Sequence, residues 1–336
     1  MLNFAIVGCG RIANKIVDGI ISNSKKAKLV AICDILEDKM DQIEKRYIEK
    51  TNIKNEIVKN SNYKELLGKV KVDVVIVSTE SGYHEEIGLY FLENRVNVII
   101  EKPIAMSIQG AQKLVDKAKE KKLKLAACHQ NRFNYPIQLL KKAIQENRLG
   151  KIFNGMARIL WTRDDNYYLQ APWRGTWALD GGTLMNQCIH NIDLINWMMD
   201  DEIDTVYSQT SNYIRNIEAE DYGVIIIRYK SGKIATIEGS AIIYPKNLEE
   251  TLTVTGEKGT VVIGGMAVNK INTWRVEGDN EEEYLSIDCG DPNSVYGYGH
   301  EALYKDFIEA IEENREPLVN GVAGLNAVKI ILAAYK

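Results

Sequence analysis

The 336-residue chain is short of the features that mark several protein classes. Its five cysteines (Cys9, Cys33, Cys128, Cys188, Cys289) are odd in number and irregularly spaced, with no CxxC and no Cys/His cluster. That excludes a disulfide scaffold and a zinc site, and no metal is expected. No run approaches the roughly 20 apolar residues of a membrane helix. The longest apolar pieces, such as Val74 to Val77 and Val98 to Ile100, are strand-sized. The amino-terminal apolar stretch is broken by glycine and too short for a signal-peptide core. Charge of one sign is also missing: 42 Lys and Arg against 46 Asp and Glu leave −4, so there is no basic excess to neutralise nucleic-acid phosphates. These absences predict a soluble cytoplasmic protein with neither nucleic acid nor membrane as partner. Histidine is scarce, at positions 84, 129, 190 and 300 only.

The length predicts two domains. Over the first 128 residues, short Val/Ile-rich runs (Leu2 to Val7, Leu29 to Asp34, Val72 to Ser78, Val96 to Ile100, Leu123 to Cys128) alternate with amphipathic segments such as Ile12 to Ile21, Glu85 to Glu93 and Ile108 to Lys121. Apolar strands separated by helices predict an α/β domain with a doubly wound parallel sheet of Rossmann type. From 129 to 336 the pattern changes. After a helix over Ile137 to Asn147 and a long strand over Lys151 to Thr162 comes a Gly- and aromatic-rich loop, then one helix from Thr183 to Met199. Strand candidates at hairpin spacing follow from Asp204 to Val276, and a closing helix over Glu301 to Glu313. This half is predicted as an α+β domain with an open, mainly antiparallel sheet, whose outer face a second copy of the chain would cover as a homodimer or homotetramer.

Gly8-Cys9-Gly10-Arg11-Ile12-Ala13 directly follows the first strand and opens the first helix. In that context the first glycine permits a tight turn and the second lets backbone approach a pyrophosphate. The small third residue lets helix and strand pack, with the helix N-terminus facing the phosphates. The next strand ends in Asp34, placed to bond ribose hydroxyls, and Ile35 and Leu36 after it offer no cation for a 2′-phosphate. NAD is therefore the expected cofactor. Cys9 reads as a small filler in the turn.

Two further strand ends point to the same crevice: Ser78-Thr79, with His84 shortly after, and Glu101-Lys102-Pro103. Lys102 is either a base with a tunable pKa or a solvated loop lysine paired with Glu101. In the second half, Ala171 to Gly182 packs Trp173, Trp177, Arg174 and three glycines into twelve residues. The helix after it carries Asn186, His190 and Asp193 at spacings that put them on one face. His190 is either a buried histidine or, with Lys102, one of a proton-transfer pair beside a nicotinamide.

Taken together, GCGRIA, STESGYH, EKP and GGTLMNQCIHNID resemble the Gfo/Idh/MocA family of NAD(P)-dependent oxidoreductases, in its order and along the whole chain. The resemblance implies that Lys102 contacts substrate and nicotinamide and that His190 transfers the proton. Where the family often has aspartate four residues before that histidine, this chain has Asn186, which can orient a hydroxyl but not act as base. The loop sequences WRGTWALDGG, Tyr167-Tyr168 and HQNRF look most like the nucleotide-sugar branch, which oxidises the carbon-3 hydroxyl of UDP-N-acetylated sugars. On that likeness the cofactor would touch Gly8, Cys9, Gly10, Arg11, Ile12, Asp34, Ser78, Thr79, His84, Glu101, Lys102, Gln130, Trp173 and Arg174. The substrate would touch Lys102, Asn131, Arg132, Arg163, Tyr167, Arg174, Asn186 and His190. Two other readings are a dehydrogenase of a free polyol or sugar and a non-catalytic NAD-sensing regulator. Gly297 to His300 is read as lying near the ligand, or else His300 as capping the final helix.

Overall fold

Val74 to Val77, wholly buried, mark the centre of the first sheet. The computed structural model describes residues 1–52, 56–290, 297 and 299–336. Six strands pair in parallel in the order β3-β2-β1-β4-β5-β6: β1 (Leu2–Val7), β2 (Ala27–Cys33), β3 (Val58–Asn60), β4 (Val74–Val77), β5 (Asn97–Ile100) and β6 (Leu125–Ala127). The intervening helices are α1 (Ala13–Ser22), α2 (Glu37–Thr51), α3 (His84–Glu93) and α4 (Ile108–Lys121). Strands without an alternating polar face require cover on both sides, and the order reverses beside β1 as in a Rossmann fold. β3 escapes the sequence reading because it is a three-residue edge strand of Val-Lys-Asn with no apolar run.

The second unit is built on seven strands in the order β13-β12-β11-β7-β10-β9-β8. Helix α5 (Tyr135–Gln145) leads into β7 (Ile152–Leu160), and α6 (Asp165–Leu169), α7 (Thr183–Asn186) and α8 (Ile189–Met199) follow. Then come β8 (Ile203–Ser211), β9 (Tyr222–Tyr229), β10 (Ile234–Ser240), β11 (Glu249–Gly256), β12 (Gly259–Gly264), β13 (Lys270–Val276) and α9 (Glu281–Leu285). Only the β7–β10 pair among the named pairings of this sheet is parallel. One face is closed by α7 and α8, which approach so near that a Cβ on Gly239 would lie 2.5 Å from Cys188 Sγ. The other face leaves Phe153, Met156 and Ile226 exposed.

The expected helix from Thr183 to Met199 is two helices. The amides of Gln187 and Cys188 both donate to Thr183 O, the second bond spanning five residues, and this widened turn separates α7 from α8. Such π-type turns put successive side chains out of α-helical phase.

The chain divides into Met1–Cys128 with His300–Val328, and His129–Gly299 with Lys329–Lys336. The sequence reading assigned everything after 128 to the second domain, so the closing segment is a correction. The reason lies in the edge strand β6. Asn320 bridges Ala126, and Ala127 N–H donates to Val319 O. Helix α10 (Gly299–Glu312) presses Tyr304 against Gly19 of α1, and α11 (Gly321–Ala334) sets Gly321 against Leu125 and Gly324 against Ala127 of β6. An unpaired edge is a liability that folds cover.

Candidate active site

The dinucleotide half is built where β1 stops. Gly8 adopts φ +99° and donates to Cys33 O, while Ser78 Oγ donates to Gly8 O. A Cβ on Gly8 would meet Ser78 C and O at 2.5 Å, so only glycine fits this turn. A Cβ on Gly10 would meet nothing within 4 Å, which leaves room on that side for a ligand. Helix α1 starts after Ile12 with no side-chain cap; Ala13 N–H donates to Gly10 O and Lys15 N–H to Ile12 O, and the helix N-terminus presents its positive end to an anion. Asp34 accepts from Cys9 N–H at 2.6 Å and from Leu36 N–H at 2.9 Å. It therefore locks the glycine turn, with lone pairs to spare for ribose hydroxyls. Burial pushes the Cys9 thiol up, consistent with a filler. These residues fit the adenosine diphosphate half of NAD. Arg11 lies at the mouth of the turn and is exposed.

Two of the expected cofactor contacts also brace the neighbouring loops. His84 is buried, with Nδ1 2.7 Å from Pro103 O and Nε2 3.1 Å from Thr79 O. It ties the loop after β4 to the loop after β5, and burial lowers its pKa. Glu101 is also buried, which raises its pKa; its Oε2 accepts the Lys102 amide, and its Oε1 lies 3.9 Å from His300 Nε2. His300, in the first turn of α10, is thus packed beside Glu101, and burial holds its pKa down at about 4. Tyr298, in the same segment, lies outside the described residues. Lys102 is half-buried at the end of this loop.

The second unit carries the other group. His190 is half-buried at the start of α8, and its ring meets that of His129 edge-on at 5.7 Å. Asn186 Nδ2 donates to Asp180 Oδ1, and Gly175 N–H donates to Asp180 Oδ2 at 2.9 Å. Asp180, buried, was not singled out from sequence; its one signal was a lone acid inside a Gly-rich loop. Gln130 and Asn131 are buried in a short turn after β6. Tyr167 is flanked by two guanidiniums, Arg174 at 4.5 Å and Arg163 at 5.4 Å from its ring centre, and Arg174 also lies 4.5 Å over Trp173. Trp173 thereby belongs to the arginine cluster.

Arg132, expected to touch the substrate, has a partner within the second unit. It makes a two-pronged pair with Asp193, Nε to Oδ2 at 2.7 Å and Nη2 to Oδ1 at 2.6 Å, with both side chains almost fully buried. Its guanidinium lies 4.8 Å over Trp197. Asp193 thus faces a structural partner, which the shared-face reading of Asn186, His190 and Asp193 did not anticipate.

Buried carboxyls flank this region. Burial drives Glu250 up to about 8, against Asn191 and Arg163, and Glu220 up to about 7. Both values exceed the ordinary 4.5, so the folded protein holds protons that the unfolded chain releases. Their stabilising contribution is complete below about 4.5 and disappears as pH rises through about 8. Glu250→Gln is expected to flatten the decline in urea-unfolding stability between about pH 5 and about pH 8; an unchanged decline would contradict the assignment.

Residues 2–129 match the NAD-binding Rossmann fold of an oxidoreductase family, and residues 137–262 match the Gfo/Idh/MocA carboxy-terminal domain. The chain belongs to the Gfo/Idh/MocA family. It is similar to the WlbA dehydrogenase of Bordetella pertussis, solved with NADH and UDP-GlcNAcA: TM-score 0.88, 32% identity, 99% of this chain and 94% of that one. The Chromobacterium violaceum WlbA dehydrogenase, solved with the same two ligands, gives TM-score 0.88 and 34% identity over 99% and 92%. The myo-inositol 2-dehydrogenase of Thermotoga maritima is 24% identical over 350 residues, covering 100% of this chain and 96% of that protein. Family membership makes the protein an oxidoreductase with an NAD-binding first unit. Among the described residues no cluster could hold a metal, and no helix is long and apolar enough to cross a membrane.

Proposed function

We propose that this Gfo/Idh/MocA protein oxidises the carbon-3 hydroxyl of a UDP-N-acetylated sugar to the ketone, in the making of amino sugars or surface polysaccharide. The observation that carries the reading is its likeness, at 32 and 34% identity over nearly the whole chain, to two dehydrogenases solved with NADH and UDP-GlcNAcA. The cluster of Arg163, Arg174, Tyr167 and Trp173 supports it, because guanidiniums and aromatic faces suit a diphosphate and a base or sugar.

When bound, NAD accepts the hydride that leaves carbon 3. In this reading Gly8 to Ile12 and Asp34 hold its adenosine half, and Lys102 holds and polarises the reacting hydroxyl. His190 takes the hydroxyl proton as the C–H bond breaks, so the alcohol loses one hydride and one proton. Asn186, fixed by Asp180, orients the hydroxyl by accepting or donating a hydrogen bond. A second copy of the chain covers the open face of the second sheet, around Phe153, Met156 and Ile226.

A free polyol is the second reading, favoured by the inositol dehydrogenase likeness. Following NADH formation with UDP-N-acetylglucosamine, its uronate, myo-inositol and glucose separates the two. The nucleotide sugars are expected to give the highest kcat/KM; preference for inositol or glucose would overturn the proposal.

A further inference from the structure

The loop between β8 and β9 is shaped around one buried acid. Asp221, wholly buried, accepts the amides of Tyr213 (2.9 Å), Ile214 (2.9 Å) and Arg215 (3.0 Å) on its carboxylate. Asn212 Nδ2 closes the same loop on Ile217 O and Ala219 O. The loop is then docked on the Trp173–Gly182 segment, since the amides of Glu218 and Ala219 both donate to Gly175 O. A carboxylate that organises three consecutive amides fixes where the side chain of Arg215 starts.

That side chain is 13% exposed and makes an ion pair at 3.4 Å with the exposed Asp165. Its Nε–H is buried and donates to nothing among the described residues, and the same holds for Nε of Arg174. Buried guanidinium donors without a protein acceptor are costly, so each calls for a partner the chain does not supply, a buried water or a ligand oxygen. Asp165, the partner of Arg215, is the first residue of α6, the short helix that also carries Tyr167 and Tyr168. Tyr168 packs edge-on against Tyr167 at 5.1 Å, and Tyr167 lies between Arg163 and Arg174. Of the acids nearby, Asp165 pairs with Arg215, Asp180 is taken by Gly175 and Asn186, Asp221 by three backbone amides, and burial raises the pKa of Glu250, beside Arg163, to about 8.

We propose that Arg215 completes a clamp with Arg163 and Arg174 that grips the diphosphate of the nucleotide substrate, and that it is a determinant of preference for nucleotide sugars over free sugars. The inference rests on the nucleotide-sugar reading above. Guanidinium forks match phosphate oxygens two at a time, and three of them neutralise a diphosphate that a free sugar lacks. The same chemistry recognises the carboxylate of a uronate, so the two sources are tested apart.

The experiment is isothermal titration of the full-length, NAD-loaded protein with UDP and, separately, with glucuronate. Wild-type protein is expected to bind UDP. Arg215→Gln should weaken that binding roughly 10- to 100-fold while NAD affinity and the thermal melt stay as in wild type. Arg215→Lys keeps the charge without the fork, and its UDP affinity is expected to fall between the two. Equal UDP affinity in all three proteins overturns the proposal, as does a loss confined to glucuronate. If wild type oxidises UDP-sugars and Arg215→Gln does so with unchanged KM, the clamp fails and the function stands. If wild type oxidises no UDP-sugar but loses UDP binding on Arg215→Gln, the clamp stands and the function fails.

Discussion

Lys102→Met is expected to lower turnover by roughly 100- to 10,000-fold and to leave NAD affinity unchanged. Methionine keeps the unbranched, apolar stem and removes the ammonium alone. The parts that fit the cofactor lie elsewhere: the Gly8 turn, the uncapped start of α1 and Asp34 belong to β1 and β2. Lys102 follows β5, where Glu101 accepts its amide and His84 ties down Pro103 O. A loop held at three consecutive residues is a means of fixing one ammonium against a hydroxyl, which is what proton transfer in register with hydride loss requires. Stopped-flow NAD binding alongside steady-state turnover checks both halves of the prediction. Turnover near the wild-type rate would remove Lys102 from the chemistry.

Asp193→Ala is expected to destabilise the second unit by about 3–5 kcal/mol. The pair with Arg132 is enclosed, and removing Asp193 takes the two-pronged carboxylate from a guanidinium buried beside Trp197. Lys141 makes matters worse. Its Nζ donates to Trp197 O at 2.7 Å and lies 5.1 Å over the same indole, and burial lowers its pKa. Lys141 keeps its own partner Asp200 at 3.5 Å, but two cations would then face one indole with one acid fewer. The double replacement Arg132→Met with Asp193→Leu should restore most of the lost stability, because apolar pairs of similar volume replace buried ion pairs at little cost. Urea unfolding of the three proteins measures this. A loss below about 1 kcal/mol in Asp193→Ala would mean the pair is solvated in solution.

What could be read from the sequence follows how local each signal is. The glycine turn and Asp34 were legible because strand, turn and helix supply all the constraints within a few dozen residues, and the structure gives Gly8 the positive φ that the pattern demands. The parallel sheet was legible from uninterrupted apolar runs, apart from the polar edge strand β3. The Arg132–Asp193 pair was not legible because the two lie 61 positions apart and nothing near either residue marks it. The division of α7 from α8 depends on a turn closed onto Thr183 and on sheet glycines that admit Cys188, neither of which appears in a helical periodicity. His84 was placed with the cofactor because its motif sits at a strand end, yet both ring nitrogens face backbone carbonyls. The return of residues 300–328 to the first unit answers the need of β6 for cover, a demand set by tertiary structure. Arg215 carried no motif at all, and became visible only through the loop that Asp221 organises.

The claim on which the account turns is hydride removal from carbon 3 of a nucleotide sugar. UDP-N-acetylglucosamine and its uronate, each carrying deuterium at carbon 3, would be incubated with the protein and NAD, and the reduced cofactor weighed by mass spectrometry. The expected product is NADH that carries the deuterium, formed faster than with inositol or glucose. Reduced cofactor without the label, or reduction by free sugars alone, would contradict it.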